Sequence, residues 1–204
     1  MSSFVFSFDS VKNIKIMQIA KDRIELPLAV HYKPDDYIIF QRYFTDDQGR
    51  PVVAVEGKTP PKGGPPEHVH IKQDEYLRVI SGTMGIKEPG KPERFITAGE
   101  TVLWEAGVTH KFWNAGEDTL HYDGWVTPVD SFVFLLSEIH KAVYAGNYKP
   151  SMFDIAFLMR RYRSEFRMTE IPGFIQATYF PLLVSLGKWL GKYRKYENAP
   201  ESVH

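Results

Sequence analysis

The chain has 204 residues, of which 43% are hydrophobic and 25% charged, as is typical of a soluble protein with one good-sized domain and an added segment. Lysine plus arginine and aspartate plus glutamate number 25 each, so the charge balance does not favour nucleic acid as a partner. The chain contains no cysteine, which excludes disulfides, thiolate nucleophiles and zinc–sulfur sites and leaves nitrogen and oxygen as metal ligands.

The N-terminal part mixes short apolar stretches with charged residues. We predict N-terminal strands or an arm over residues 1–35, packed on the main domain. The first residues lack a basic region followed by a continuous apolar stretch, so we expect no secretory signal and a cytoplasmic protein. The strongest apolar runs are far shorter than the roughly 20 residues that cross a bilayer.

Residues 36–128 alternate β-branched and aromatic runs with turns rich in Gly, Pro and Asp. Close spacing of such runs predicts an all-β barrel or sandwich. Hairpin turns are expected at residues 46–49 and 88–91, where Gly49 and Gly90 supply the backbone freedom of a tight turn.

The periodicity becomes helical after Pro128, and we predict an α-helical extension over residues 129–197. Its first helix ends near Gly146, and His140 is expected on its solvent side.

The second helix of this extension is predicted to begin near Ser151 and to continue through Phe166, because apolar residues recur every three or four positions. A third helix is expected from about residue 174 to 195, with a kink or restart at Pro181. Residues 198–204 are polar and are expected to form a frayed tail.

Two histidines one residue apart, His68 and His70, precede a strand-like run that begins near Glu75. Side chains two residues apart in a strand point to the same side, so both imidazoles can reach one ion. Glu75 would have the opposite direction in a continuous strand. A turn within residues 71–74 lets it point inward instead.

A fourth metal ligand is His110, which follows the turn at Gly107 and lies early in a later strand. The predicted metal site, formed by His68, His70, Glu75 and His110, offers three neutral imidazoles and one carboxylate. Such ligands suit a divalent transition metal (Fe, Mn, Co, Ni, Cu or Zn) better than Ca or Mg, without selecting one. With a divalent ion the site carries a charge of about +1, because the carboxylate is its one charged ligand, and it favours an anionic oxygen chelator.

The spacing of these residues resembles the first signature motif of the cupin superfamily. His68, His70 and Glu75 fit that motif, and Gly82 follows at its spacing of six intervening residues. The leading glycine differs, because Gly63 stands one residue closer to the histidines than the motif places it.

The second cupin motif is matched in register by Gly99, Gly107, His110 and Asn114. Glu105 replaces a proline of the motif that shapes a turn and binds no metal. The 16 residues between the motifs are close to the short length found in compact bacterial members.

The resemblance implies a mainly β fold: a double-stranded β-helix or jelly-roll (cupin) barrel over residues 36–128, followed by the C-terminal α-helical extension. The extension resembles that of a group of uncharacterised bacterial cupin-domain proteins. Resemblance to oxygenase members implies an oxidoreductase of the dioxygenase type that acts on a small anionic or oxygen-chelating molecule. Glu75 would then serve as an acid or base as well as a ligand.

The predicted substrate pocket is lined by Leu77, Val79, Trp104, Phe112 and His121. Phe112 lies two residues beyond the metal-ligand histidine of its strand and therefore shares its face. Barrel interiors are apolar whatever they bind, so the competing interpretation is core packing for the first four and a structural role for His121.

Two other functions fit the same residues: a non-catalytic small-molecule binding or sensing protein, and a Lewis-acid isomerase or hydrolase. The expected partner is a small-molecule ligand and no nucleic acid. The third helix combines Trp189 and Leu190 with lysines, a pattern also found at membrane surfaces. Packing on the barrel or in a homodimer is the favoured interpretation, and membrane binding is not expected.

Overall fold

The computed structural model describes residues 24–203, and in this part of the chain eleven strands and three α-helices form. Most of the predicted arm, residues 1–23, lies outside the described residues. The strands are β1 Leu28–Lys33, β2 Asp36–Thr45, β3 Pro51–Thr59, β4 His68–His70, β5 Asp74–Ser81, β6 Thr83–Lys87, β7 Arg94–Thr97, β8 Thr101–Trp104, β9 Thr109–Asn114, β10 Leu120–Thr127 and β11 Phe166–Met168.

The strands form two antiparallel sheets. One has the order β1-β2-β3-β10-β5-β8 and the other β11-β4-β9-β6-β7. Alternate residues of each strand point into one shared apolar core, as the period of two along a strand requires. The largest of these buried residues include Phe40, Leu77, Met84, Ile86 and Leu120. The mainly β, jelly-roll fold expected from the sequence is thereby confirmed.

Three α-helices follow the barrel: α1 Phe132–Ala145, α2 Met152–Arg161 and α3 Phe180–Trp189. A π-helix, Ile175–Tyr179, runs directly into α3, so the third predicted helix does change its character next to Pro181. The helices share a second apolar core, centred on Leu158, Tyr162 and Phe180.

The prediction that the second helix continues through Phe166 is wrong. Helix α2 ends at Arg161, and Phe166 begins β11, which pairs with β4 so that Phe166 lies opposite His70 and Met168 opposite His68. The open edge of β4 offers backbone hydrogen bonds that outweigh the local helical pattern. The extension therefore contributes a strand to the barrel beside the predicted metal ligands.

The structure also differs from the expected frayed tail. Arg161 donates from Nη2 to the carbonyl of Ala199 over 2.8 Å and from Nε to that of Pro200 over 3.0 Å. Tyr162 donates its hydroxyl proton to the Pro200 carbonyl over 2.8 Å. The tail is thus held against the end of α2 as far as Val203, which itself donates a backbone hydrogen bond to Glu165.

Candidate metal centre and ligand cavity

Four metal-capable side chains from three strands meet inside the barrel. His68 lies on β4 directly opposite His110 on β9, and His70 follows on β4. Glu75 reaches the same point from β5 of the facing sheet. One ligand atom from each residue lies within 4.8 Å of those of the other three, and all four residues are buried. We call these four residues the His/Glu cluster.

Backbone carbonyls fix the orientation of two of the imidazole rings. His68 Nδ1 lies 2.8 Å from the Pro66 carbonyl oxygen, and His110 Nδ1 lies 3.0 Å from that of Val108. Because a carbonyl only accepts, each Nδ1 carries a proton, and Nε2 of the neutral ring keeps its lone pair. A hydrogen bond from one ring nitrogen to a carbonyl is the usual arrangement of a metal-ligating histidine.

The lone pairs of the cluster face one another. His110 Nε2 lies 3.0 Å from Glu75 Oε2, and His70 Nε2 lies 3.4 Å from the same oxygen. Two such atoms repel each other at this distance unless a proton or a metal ion lies between them. Three imidazole nitrogens and a carboxylate oxygen are also the ligands that divalent transition metals prefer, so these residues fit a metal ion.

The protonation states of the His/Glu cluster also suit metal binding. Burial, assisted by the nearby His70 and His110, lowers the pKa of His68 to about 3, so this ring is neutral at pH 7. Burial alone would raise the pKa of Glu75, but the neighbouring His110 and His70 side chains hold it well below its ordinary value. Glu75 is therefore an ionised carboxylate.

Aromatic rings pack against the histidines of the cluster. Trp104 stacks on His110 with ring centroids 4.1 Å apart and planes inclined by 6°. Its indole Nε1–H donates to Glu88 Oε1 over 3.2 Å, which fixes the indole in turn. Phe132 and Phe166 each lie with their ring centroids 5.4 Å from that of His70.

A cavity of about 130 Å³ opens beside the His/Glu cluster. This is close to the roughly 150 Å³ of an engineered protein cavity that binds benzene. Its wall is mainly apolar, and the structure places Leu77 and Phe112, two of the predicted pocket residues, in it.

The other three predicted pocket residues do not line this cavity. Val79 is buried in the barrel core and does not line the cavity. Trp104 stacks on His110 and does not line the cavity. His121 points to the other side of its strand, where its Nε2 lies 2.8 Å from Glu56 Oε1.

Several cavity residues were missed by sequence analysis. His140 on α1 lines the cavity instead of facing solvent, and burial lowers its pKa. Asp36, Thr59 and Tyr122 contribute polar groups to the wall. A strand pattern reveals that one of two neighbours points inward, but not which one. The sequence signal therefore could not separate Tyr122 from His121.

Asn114, the last residue of the second motif, ties the end of β9 to the neighbouring loops. Its buried amide nitrogen donates to the carbonyls of Thr59 over 2.8 Å and Asp118 over 2.7 Å. Its amide oxygen accepts the Gly116 N–H over 2.9 Å. These bonds hold the strand that carries His110.

Replacing Asn114 by alanine should lower the free energy of unfolding by about 2–3 kcal/mol, because buried polar groups lose their partners. Urea unfolding followed by tryptophan fluorescence measures the change. The exposed Asn198→Ala control should shift stability by less than about 0.5 kcal/mol. Equal effects of the two variants would contradict the role given to Asn114.

Among residues 24–203, no helix combines the length and the apolar character needed to cross a membrane.

Comparison with known proteins gives two curated relatives, both named as oxidoreductases. The chain is 29% identical to the protein named "Probable oxidoreductase virH" of Hypocrea virens over 142 residues, which cover 62% of this chain and 64% of the relative. It is 38% identical to "Oxidoreductase iacF" of Pestalotiopsis fici over 68 residues, which cover 32% of this chain and 33% of the relative. The matches thus span less than two thirds of either relative.

A solved structure of an uncharacterized conserved protein with a double-stranded β-helix domain from Klebsiella pneumoniae superposes with a TM-score of 0.40. It is 17% identical, and the match covers 62% of this chain and 91% of that one. A family model described as "Cupin domain" matches residues 55–127, from β3 through β10, and this stretch contains the whole His/Glu cluster. Residues 55–127 thus match a cupin domain, in agreement with the two facing antiparallel sheets and with both motifs.

Proposed function

We propose that the His/Glu cluster binds one divalent transition metal and that the protein is an oxidoreductase of the dioxygenase type acting on a small molecule. One observation carries the metal site: the ionised carboxylate of Glu75 lies 3.0 Å from the lone-pair nitrogen of His110. A cation between these atoms relieves their repulsion. Iron, manganese, cobalt, nickel, copper and zinc all suit this ligand set.

The oxidoreductase assignment combines the cluster with the two curated relatives, which are both named as oxidoreductases. A bound transition metal would supply Lewis acidity and, for a redox-active ion, electron transfer to or from a ligand. The cluster with a divalent ion has a charge of about +1, which favours an anionic oxygen of the ligand. A small anionic or oxygen-chelating organic molecule is therefore the proposed substrate.

The protein side chains position this ligand and keep water away from it. The apolar wall that includes Leu77 and Phe112 removes solvent from the cavity and strengthens electrostatic interactions there. Glu75 directs Oε2 toward both His70 and His110. We assign its other oxygen, Oε1, the task of accepting a proton from the ligand. This makes Glu75 the proposed acid or base as well as a metal ligand.

Oxygen uptake tests this function. Protein loaded in turn with iron, manganese, cobalt, nickel, copper or zinc is mixed with catechols and small hydroxylated carboxylic acids. Dissolved oxygen is followed with an electrode and the substrates by chromatography. We expect consumption in proportion to the amount of added substrate, lost in Glu75→Gln and retained in His121→Ala. Ligand binding without oxygen uptake for any metal would instead favour a non-catalytic binding or sensing protein. Turnover with zinc alone would favour a Lewis-acid isomerase or hydrolase.

Homodimerisation and a cytoplasmic location remain predictions.

A further inference from the structure

A second group of polar side chains lines the cavity, on the sheet that faces the three histidines. Asp36 begins β2, Thr59 ends β3 and Tyr122 lies on β10, and these three strands are neighbours in the six-stranded sheet. The histidines lie on β4 and β9 of the other sheet. We call these three residues the acceptor group.

A hydrogen bond fixes the free acceptor atom of Asp36. Thr59 donates from Oγ1 to Asp36 Oδ1 over 3.1 Å. A threonine hydroxyl has one proton, so Thr59 has no second proton to donate to Asp36 Oδ2. Asp36 Oδ2 and the lone pairs of the Tyr122 hydroxyl oxygen, both in the cavity wall, can accept hydrogen bonds from a ligand.

The surrounding structure holds the acceptor group in place. Thr59 is 2% exposed and Tyr122 6% exposed. Gly57 lies opposite Tyr122 on β3, and a Cβ at that position would overlap with the phenol ring of Tyr122. Burial raises the pKa of Asp36, as expected of a carboxylate drawn partly into the cavity wall. The barrel thus leaves space for the phenol and orients its hydroxyl.

The cavity between the two polar ends has a volume and an apolar wall that suit a single aromatic ring. Its volume is about 130 Å³, and Leu77, Phe112 and Phe132 contribute apolar surface. Tyr122 lines this cavity together with Asp36 and Glu75. A ligand bound beside it can contact the His/Glu cluster with one group and the acceptor group with another.

We propose that the acceptor group recognises a hydroxyl group of the ligand and that the ligand is a single-ring aromatic hydroxy acid. The hydroxyl donates to Asp36 or Tyr122, and the carboxylate faces the His/Glu cluster. The second contact rests on the proposed function, because it requires the metal. The first depends on the acceptor group alone.

Paired probes test the acceptor group. Affinities of metal-loaded protein are measured by titration calorimetry for 3- and 4-hydroxybenzoate, each paired with its methyl analogue, 3- or 4-methylbenzoate. The wild type should prefer the hydroxyl compound of at least one pair by about tenfold, since one hydrogen bond to a charged acceptor contributes enough for this factor. In Asp36→Asn and in Tyr122→Phe the preference should fall below about threefold.

Tyr32→Phe is the matched control, because Tyr32 also lines the cavity but is not part of the acceptor group. It should keep the tenfold preference. The proposal is overturned if neither pair shows a preference in the wild type, including the case in which no probe binds. It is equally overturned if the preference survives in both acceptor-group variants.

Removal of the metal separates this proposal from the proposed function. Metal-free protein should bind the hydroxyl and the methyl compounds more weakly than metal-loaded protein does, and by the same factor. The ratio of the two affinities should therefore be unchanged. A protein that binds no metal would refute the proposed function while the ratio still reports on the acceptor group. If metal-loaded protein binds the hydroxyl and the methyl compounds equally well, the proposal about the acceptor group is refuted and the proposed function is not.

Discussion

Replacing His110 by alanine should lower the affinity for a divalent transition metal by at least about 100-fold, because changes to the residues behind metal ligands already cost 10–100-fold. His110 is the ring that lies nearest the Glu75 carboxylate, at 3.0 Å, and it pairs directly with His68 across two strands. Its removal leaves two histidines and one carboxylate. Competition with a chromogenic chelator measures the affinity.

Metal-dependent stabilisation should disappear together with the affinity. A metal at 100 times its dissociation constant adds about 2.7 kcal/mol to the stability of a protein that binds it only when folded. His121→Ala is the matched control, since this histidine pairs with Glu56 outside the cavity. A His110→Ala affinity within about threefold of the control would refute the site.

Replacing Glu165 by alanine should lower the free energy of unfolding by about 3 kcal/mol, because the loss of a buried carboxylate leaves several donors without a partner. Glu165 is 2% exposed. Its Oε2 accepts the N–H of Ser131 over 3.0 Å, and its Oε1 accepts that of Val203 over 2.8 Å. One side chain thus joins the start of α1, the tail and the segment before β11.

The expected fall in melting temperature of Glu165→Ala is about 6–12 °C for a protein of this size. Calorimetry of the metal-free protein measures it, with Glu93→Ala as the control. Glu93 is an exposed carboxylate whose ion pair with Lys87, at 3.2 Å, should contribute less than about 1 kcal/mol. Glu165→Gln should fall between the two, because the amide oxygen keeps one acceptor. Equal melting temperatures for the two alanine variants would contradict the structural role.

The cluster could be predicted from the sequence because its parts are local. His68 and His70 stand two apart in one strand, and a short turn separates them from Glu75, so the period of two determines where they point. His110 required the second motif, because its pairing with β4 is not local. The density of short strands and turns predicted an all-β barrel or sandwich. The jelly roll was implied by the resemblance of the two motifs to the cupin superfamily.

The cavity wall was harder to predict because it depends on the direction in which each side chain points and on which strands, distant in sequence, pair. The register of β10 with β5 shifts between His121 and Tyr122, and a shift of one residue exchanges the two faces of a strand. His140 lies on the polar side of an amphipathic helix, and only the position of α1 beside the barrel turns it toward the cavity. Phe166 has a helical spacing but pairs with the edge of β4.

The central claim is that the His/Glu cluster holds a metal, and metal content measures this most directly. The protein is purified without an affinity tag and without added metal, and its bound metals are determined by plasma mass spectrometry beside His110→Ala and His121→Ala. We predict nearly one iron, manganese, cobalt, nickel, copper or zinc ion per chain in the wild type and in His121→Ala, and its loss in His110→Ala. A wild type that contains no such metal and takes none up on addition would contradict the account.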